Sequence, residues 1–330
     1  MSRFRRLRLC LVTPALAAAN NGNWHTASRW ARMLDGPFDV LLTDRWRGEP
    51  ADVLLALHAR RSADSIAAWA QAQPDRPIAL ALTGTDLYRD IHVDAAAQRS
   101  LALAARLIVL QERAADDLPA EHRGKAVVCF PSVEPLPEAA AAERPALPPP
   151  LRLLMVGHLR AEKDPATAWG ALRQLAGRGG WVLDHLGGAL DEALARQARA
   201  LQAELPAYRW LGALPHAQTR ERMARAHLLV HPSVIEGAAT VIVEAVAAGA
   251  PVLASRIPGN VGLLGAGYPG LFEPGDAAGL AALLSECLDD PAMLAALSEA
   301  AARRAPLFEP AREQATLRAM LADLLEMPRP

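Results

Sequence analysis

Two glutamates eight residues apart, Glu236 and Glu244, bracket the start of an apolar run within HPSVIEGAATVIVEAVAAGAPVLASR, residues 231–256. Small residues, Gly237, Ala238 and Ala239, lie where a helix is expected to begin, at 238. Backbone N–H groups at such a start can approach and hold a phosphate. Glu244 lies in the middle of VIVEAVAA, so its carboxylate is costly to keep there unless it meets a partner or a ligand. The plainer alternative is a strand–helix–strand unit with two solvated glutamates. A second group follows the run LRLLMVG: His158, Arg160 and Lys163 lie just past a strand end, where a diphosphate clamp requires cations, unless the loop is simply charged and solvated.

The first half of the chain carries three polar clusters of its own. Asn20-Asn21-Gly22-Asn23 is either a weak phosphate loop or a plain turn. LHARRS places His58, Arg60 and Arg61 together, and LTGTDLYRD adds Thr83, Gly84, Thr85, Asp86, Tyr88 and Arg89. A pocket lined by Arg60, Arg61, Thr85 and Arg89 suits a small multivalent anion better than a neutral sugar.

The elements that must carry these groups are short apolar runs alternating with helical ones, which predicts α/β architecture with parallel sheets. RLRLCLVTP, FDVLLTD, ADVLLALH, PIALALTG, RLIVLQ and AVVCFPS read as strands. WHTASRWARMLDG reads as a helix with Trp30, Met33 and Leu34 inward, and SADSIAAWAQAQ as one capped near Ser62 or Asp64. PSVEPLPEAAAAERPALPPP carries seven prolines and no apolar period, which reads as a semi-rigid linker. Strands restart at LRLLMV, WVLDHL, YRWLG, HLLVH and PVLAS. An Asp-capped helix in GDAAGLAALLSECLDD and a last helix over 309–326 complete the pattern. In open sheets of this kind ligands bind at the carboxyl ends of the strands, where all the polar clusters fall.

The E-x7-E unit, with PS-x-x-EG before it and EA-x-A-x-G-x-PV after it, resembles the signature of retaining GT-B glycosyltransferases of the GT4 type. GHLRAEK resembles that family's G-R-L-x-x-x-K, with His158 in place of the usual Arg, and RWLGAL resembles its R-x-x-G-x-L. The resemblance implies a GT-B fold: two Rossmann-like α/β domains with parallel sheets facing a central cleft. It divides the chain into an acceptor domain (1–135), the Pro-rich linker (136–150), a nucleotide-sugar domain (151–308) and a C-terminal helix (309–330) crossing back to the first domain. It also implies roles. Glu244 binds the ribose, Glu236 contacts the donor sugar, and Gly212 lies near the base. The 238–248 helix start, Gly22, Asn23, His158, Arg160 and Lys163 surround the diphosphate.

Within the family, NNGNWHTASRW, LHARRS, LTGTDLYRD and GHLRAEKDP are similar to the selenosugar synthases of selenoneine biosynthesis. That likeness implies a UDP-sugar donor, UDP-N-acetylglucosamine favoured, and selenophosphate as acceptor, with His58 or Asp86 positioning water for Se–P hydrolysis. No cofactor and no metal are expected. A GT4 enzyme with a hydroxyl acceptor is the alternative, and a non-catalytic nucleotide-sugar binder a third reading. No G-x-G-x-x-G follows a strand, which argues against a nicotinamide enzyme.

Composition sets outer bounds. At 330 residues the chain has room for two domains. Its net charge of −1 leaves no electrostatic footprint for nucleic acid or an anionic membrane. Cys10, Cys129 and Cys287 each sit in an apolar run, as buried free thiols do in a reducing cytosol. The basic, Ala-rich N-terminus imitates a secretory signal, but Pro14 interrupts the apolar run and the segment reads as a lead-in to the first strand. No apolar stretch approaches the ~20 residues that span a bilayer, so membrane insertion is not expected and a cytoplasmic location is.

Overall fold

The computed structural model describes residues 6–16, 22–134 and 150–326. The expected linker at 136–150, apart from Pro150, and the residues Asn20 and Asn21 lie outside the described residues. The chain separates into two compact units: Met1–Ser132 together with Pro310–Pro330, and Val133–Glu309.

Unit 1 is built on a six-stranded sheet of order β2-β1-β3-β4-β5-β6. Its strands are β1 (Leu7–Val12), β2 (Phe38–Thr43), β3 (Val53–Leu57), β4 (Ile78–Leu82), β5 (Arg106–Val109) and β6 (Ala126–Val128). Every pairing is parallel. VLLAL and IALAL are buried at every position, because helices cover both faces of a parallel sheet. Helices α1 (Gly22–Leu34), α2 (Ala63–Ala72) and α3 (Ala95–Leu103) belong to this unit. Trp30 and Leu34 are buried as expected from α1's period, whereas Met33, next to the helix end, is only half-buried. Ser62 precedes α2 but does not cap it through its side chain; its hydroxyl donates to the Leu57 carbonyl at 2.6 Å.

Unit 2 repeats the plan with sheet order β12-β11-β10-β7-β8-β9. Its strands are β7 (Leu151–Val156), β8 (Trp181–Leu186), β9 (Tyr208–Gly212), β10 (Leu228–His231), β11 (Val252–Ser255) and β12 (Leu271–Phe272), again all parallel. The helices are α4 (Pro165–Gln174), α5 (Glu192–Glu204), α6 (His216–Arg225), α7 (Thr240–Ala247), α8 (Pro258–Leu264), α9 (Ala277–Asp289) and α10 (Pro291–Ala302). Asp276 caps α9 by accepting from the Gly279 amide, as its place in the sequence predicts. The last helix, α11 (Pro310–Glu326), belongs to unit 1. The three cysteines are free and buried.

One close approach shapes the carboxyl end of unit 2's sheet. Gly187, at φ +154°, passes so near the Gly157 carbonyl that a Cβ there would lie 1.8 Å from its oxygen. The same carbonyl accepts from His185 Nε2 at 3.1 Å, while His185 Nδ1 accepts from the Tyr208 hydroxyl at 2.9 Å. Burial pushes the His185 imidazole down to about 4, against the smaller opposing effect of the Gly157 carbonyl. The unfolded imidazole titrates near the ordinary 6.5, so between about 6.5 and 4 the unfolded chain binds the extra proton. Stability due to His185 is therefore complete above pH 6.5 and falls as pH drops, by up to ~3 kcal/mol at pH 4. Denaturant unfolding at steps across that range should show a steeper loss for the native protein than for His185→Gln; parallel curves would refute the assignment.

Candidate active site

In unit 2 the loop after β10 carries Glu236, and the turn after β7 carries Lys163. The two segments are tied by the Val234 amide, which donates to the Glu162 carbonyl at 3.0 Å. Lys163 Nζ then reaches Glu236 Oε1 at 2.5 Å. Gly157 gives the lysine stem its path, since a Cβ there would touch Lys163 Cγ and Cδ at 3.4 Å. His231, buried at the end of β10, places Nε2 3.3 Å from the same carboxylate oxygen. Burial alone would raise the Glu236 pKa, but the Lys163 ammonium and His231 override it and hold the carboxyl well below its usual range. Gly259 lies under this loop, where a Cβ would meet the Glu236 carbonyl oxygen at 2.1 Å. The result is a preformed, ionised carboxylate on a braced loop.

Helix α7 begins two residues later than the expected 238 start. Ala239 is its N-cap and offers no side-chain cap, while Gly237 and Ala238 belong to the loop. The small residues thus bring an uncapped helix N-terminus and Thr240 to the surface beside Glu236, the arrangement that suits a phosphate. One turn on, Glu244 does find a partner: its Oε1 lies 2.6 Å from His216 Nε2. The hydrogen bond to Glu244 raises the His216 pKa, with burial acting against it. His216 escaped the sequence reading; the signal was Glu244 itself, a carboxylate in an apolar run that demanded a cation.

The other residues expected to form a diphosphate clamp lie around the β7 and β8 ends. His158 Nδ1 accepts from the Gly188 amide at 2.9 Å. Burial, then Arg160 and Lys163, lower the His158 pKa. A neutral ring that accepts at Nδ1 carries its proton on Nε2, so His158 is a hydrogen-bond donor without charge. Arg160 is exposed, with Nε 4.0 Å from Glu162. Gly212 closes β9 at φ +72° and accepts from the Gly187 amide at 2.8 Å.

Unit 1 gathers its own polar cluster. Asp86 is fully buried, and its oxygens accept from the amides of Ala59, Thr83 and Gly84, each at 2.9 Å. It fastens two strand-end loops together. His58 is 2% exposed and adopts φ +73°, a left-handed conformation rare outside glycine. Its Nδ1 accepts from the Arg61 amide and its Nε2 faces Thr85 Oγ1, both at 3.3 Å. Burial, only partly offset by Asp86, keeps the imidazole below its usual pKa. His58 thus ties its own loop to the Thr85 segment as a mainly neutral imidazole. The three arginines are not equivalent either. Arg60 Nε and Arg89 Nε pair with the two oxygens of one carboxylate, Asp90, at 2.8 and 3.0 Å, while Arg61 is exposed. A π-helical turn, Asp86–Asp90, brings Arg89 and Asp90 to that place. Gly22 and Asn23 form the first residues of α1, with Gly22 exposed. Among the described residues no cluster of three His, Cys, Asp or Glu could hold a metal ion, and no helix is long and apolar enough to cross a membrane.

Comparisons with known proteins bear on this arrangement. A family model described as Glycosyl transferases group 1 matches residues 138–304. The glycogen synthase of Mycobacterium tuberculosis is 38% identical over 179 residues, covering 50% of this chain but only 40% of that protein. The D-inositol 3-phosphate glycosyltransferase of Streptomyces avermitilis is 28% identical over 307 residues, 84% of this chain and 64% of that one. Two solved structures share the fold at 17% identity. Sucrose-phosphate synthase from Thermosynechococcus elongatus superposes with TM-score 0.76 over 97% of this chain and 99% of its own. Anabaena Alr3699/HepE in complex with UDP-glucose does so with TM-score 0.72 over 96% and 100%. These likenesses agree with the two parallel-sheet, Rossmann-like halves of a GT-B protein. With the family model covering half of its length, this chain belongs to the glycosyl transferases group 1 family.

Proposed function

We propose that the protein is a UDP-sugar-dependent transferase that forms a carbon–selenium bond, with UDP-N-acetylglucosamine as favoured donor and selenophosphate as acceptor. The donor half rests on one observation above all: Glu236 is held ionised by Lys163 beside an uncapped helix N-terminus, with Glu244 on the same helix. Helix α7, Arg160, Lys163 and the neutral donor His158 stabilise the departing diphosphate, and Glu236 orients the sugar. Selenium attacks C1, the bond from C1 to the diphosphate oxygen breaks, and UDP leaves. Water then cleaves the Se–P bond, giving phosphate and the 1-selenosugar. Selenium is already a strong nucleophile, so its attack on C1 needs a general base less than a hydroxyl acceptor would.

The acceptor half is supported by Arg60, Arg61 and Arg89 in unit 1. A second reading has its own support: Asp90 neutralises part of that charge, and one relative's name describes an acceptor bearing phosphate and hydroxyls. On that reading the sugar passes to a hydroxyl of a phosphorylated acceptor. Incubation with UDP-N-acetylglucosamine and selenophosphate, followed by UDP release, decides between them. Release no faster than in the absence of selenophosphate sinks the first reading. Glu244→Ala, by removing the ribose acceptor, should weaken UDP binding about tenfold or more whichever acceptor is used. Unchanged UDP affinity in titration calorimetry would remove Glu244 from the nucleotide site.

A further inference from the structure

Asp90 stands out among the groups the mechanism does not use. Its side chain is 5% exposed, at the end of the π-helical turn, and it meets two guanidiniums at once. Oδ2 accepts from Arg60 Nε at 2.8 Å and Oδ1 from Arg89 Nε at 3.0 Å. Burial of the carboxyl would raise its pKa, but the hydrogen bonds from Arg89 and Arg60 outweigh that and hold it below the usual range. In both contacts the arginine uses Nε. A guanidinium fixed through Nε still has its terminal nitrogens, the two-pronged end that binds phosphate-like oxygens. The two arginine side chains themselves are 42% and 57% exposed. Arg60 follows His58, which is locked in its left-handed conformation, and Ala59, whose amide is held by Asp86. Both loops are therefore fixed before any ligand arrives.

We infer that Asp90 is a positioning residue for a tetrahedral oxyanion in unit 1: it holds Arg60 and Arg89 through their Nε atoms so that both terminal forks converge on one acceptor anion. This deepens the acceptor reading above and rests on it. A carboxylate next to an anion site lowers its net positive charge, so charge and orientation make opposite demands. If Asp90 served only to neutralise the arginines, removing its charge would tighten anion binding. As the orienting group, its loss loosens two flexible side chains and weakens binding.

The probe is inorganic phosphate, with its dissociation constant measured by broadening of the phosphorus-31 signal, and UDP affinity measured on the same samples. Asp90→Asn is expected to raise the phosphate constant about tenfold while UDP affinity is unchanged. An unchanged or tighter phosphate constant overturns the inference. Arg60→Lys keeps the charge and removes Nε and the fork; it is expected to lose phosphate affinity to a similar degree, and full retention also overturns the inference, including in the event that Asp90→Asn fails to fold. Arg60→Ala and Arg89→Ala separate the two levels. If both leave phosphate binding untouched, the anion site itself is absent. If both weaken it while Asp90→Asn does not, the anion site stands and only the role of Asp90 falls.

Discussion

Lys163→Met should cut turnover by about two to three orders of magnitude and also destabilise unit 2, a combination that a purely ligand-binding lysine would not produce. The ammonium sits on Glu236, whose side chain is only 12% exposed, and a removed partner leaves that carboxylate nearly buried without a cation. Breaking such pairs costs about 3–5 kcal/mol when fully buried, and the residual exposure here places the expected loss at the lower end, ~3 kcal/mol. The Glu236 pKa lies below its ordinary value, so the pair's stabilisation is present above the unfolded carboxyl's pKa and disappears only as pH falls through the lower folded one. At neutral pH the full effect should be visible. A double-mutant cycle with Glu236→Gln tests the cause: neutralising the carboxylate in the Lys163→Met background should recover most of the lost stability while leaving turnover low. If Lys163→Met melts like the native protein, or if Glu236→Gln brings no recovery, the ion pair does not brace the loop.

That pair also shows how far the chain could be read before folding. The places of Glu236, Glu244 and Lys163, in a loop after a strand, in the helix that follows and just past a strand end, were legible because small residues, strand ends and apolar context constrain them locally. The strands were legible for the same reason: VLLAL or IALAL has nowhere to go but the middle of a covered sheet. What escaped was pairing at long range. Nothing near Glu244 in the sequence points to His216, 28 residues earlier. Asp86 and His58 carry the residue types of a catalytic pair, yet three amides occupy the aspartate and a left-handed backbone turns the imidazole inward. Three arginines read as three free charges until Asp90, adjacent to one and 30 residues from another, is seen to hold two of them. Residue type signals what chemistry is available; only the fold says which polar atoms are already spent.

Glu313→Ala carries the same point into stability, with the largest effect expected of any single change in unit 1. Glu313 lies within the run 309–326 that reads as a helix, and in α11 its side chain is fully buried. Arg29 grips it through Nε and Nη2, both at 2.9 Å, and Trp30 Nε1 donates to it at 2.6 Å. The amide and hydroxyl of Ser132 donate at 3.0 and 2.5 Å. One carboxylate thus joins α11 to α1 and to the end of the unit's first segment, beside lesser ties from Gln314 and Arg318 to the Met33 carbonyl. Removing it strands a guanidinium, an indole N–H and a serine amide away from water, which costs about 3–5 kcal/mol. For a unit of this size that corresponds to a fall of ~10 °C in its melting temperature. Glu313→Gln keeps the shape and some acceptors, so its loss should be smaller, and Arg29→Met combined with Glu313→Gln should be milder than the sum of the two. Calorimetry resolves the question most directly: the unit 1 transition should move while UDP still shifts the unit 2 transition as in the native protein. An unmoved unit 1 transition in Glu313→Ala would mean that α11 is held by its apolar face, Leu317, Met320, Leu321 and Leu324, and that the buried carboxylate adds nothing net.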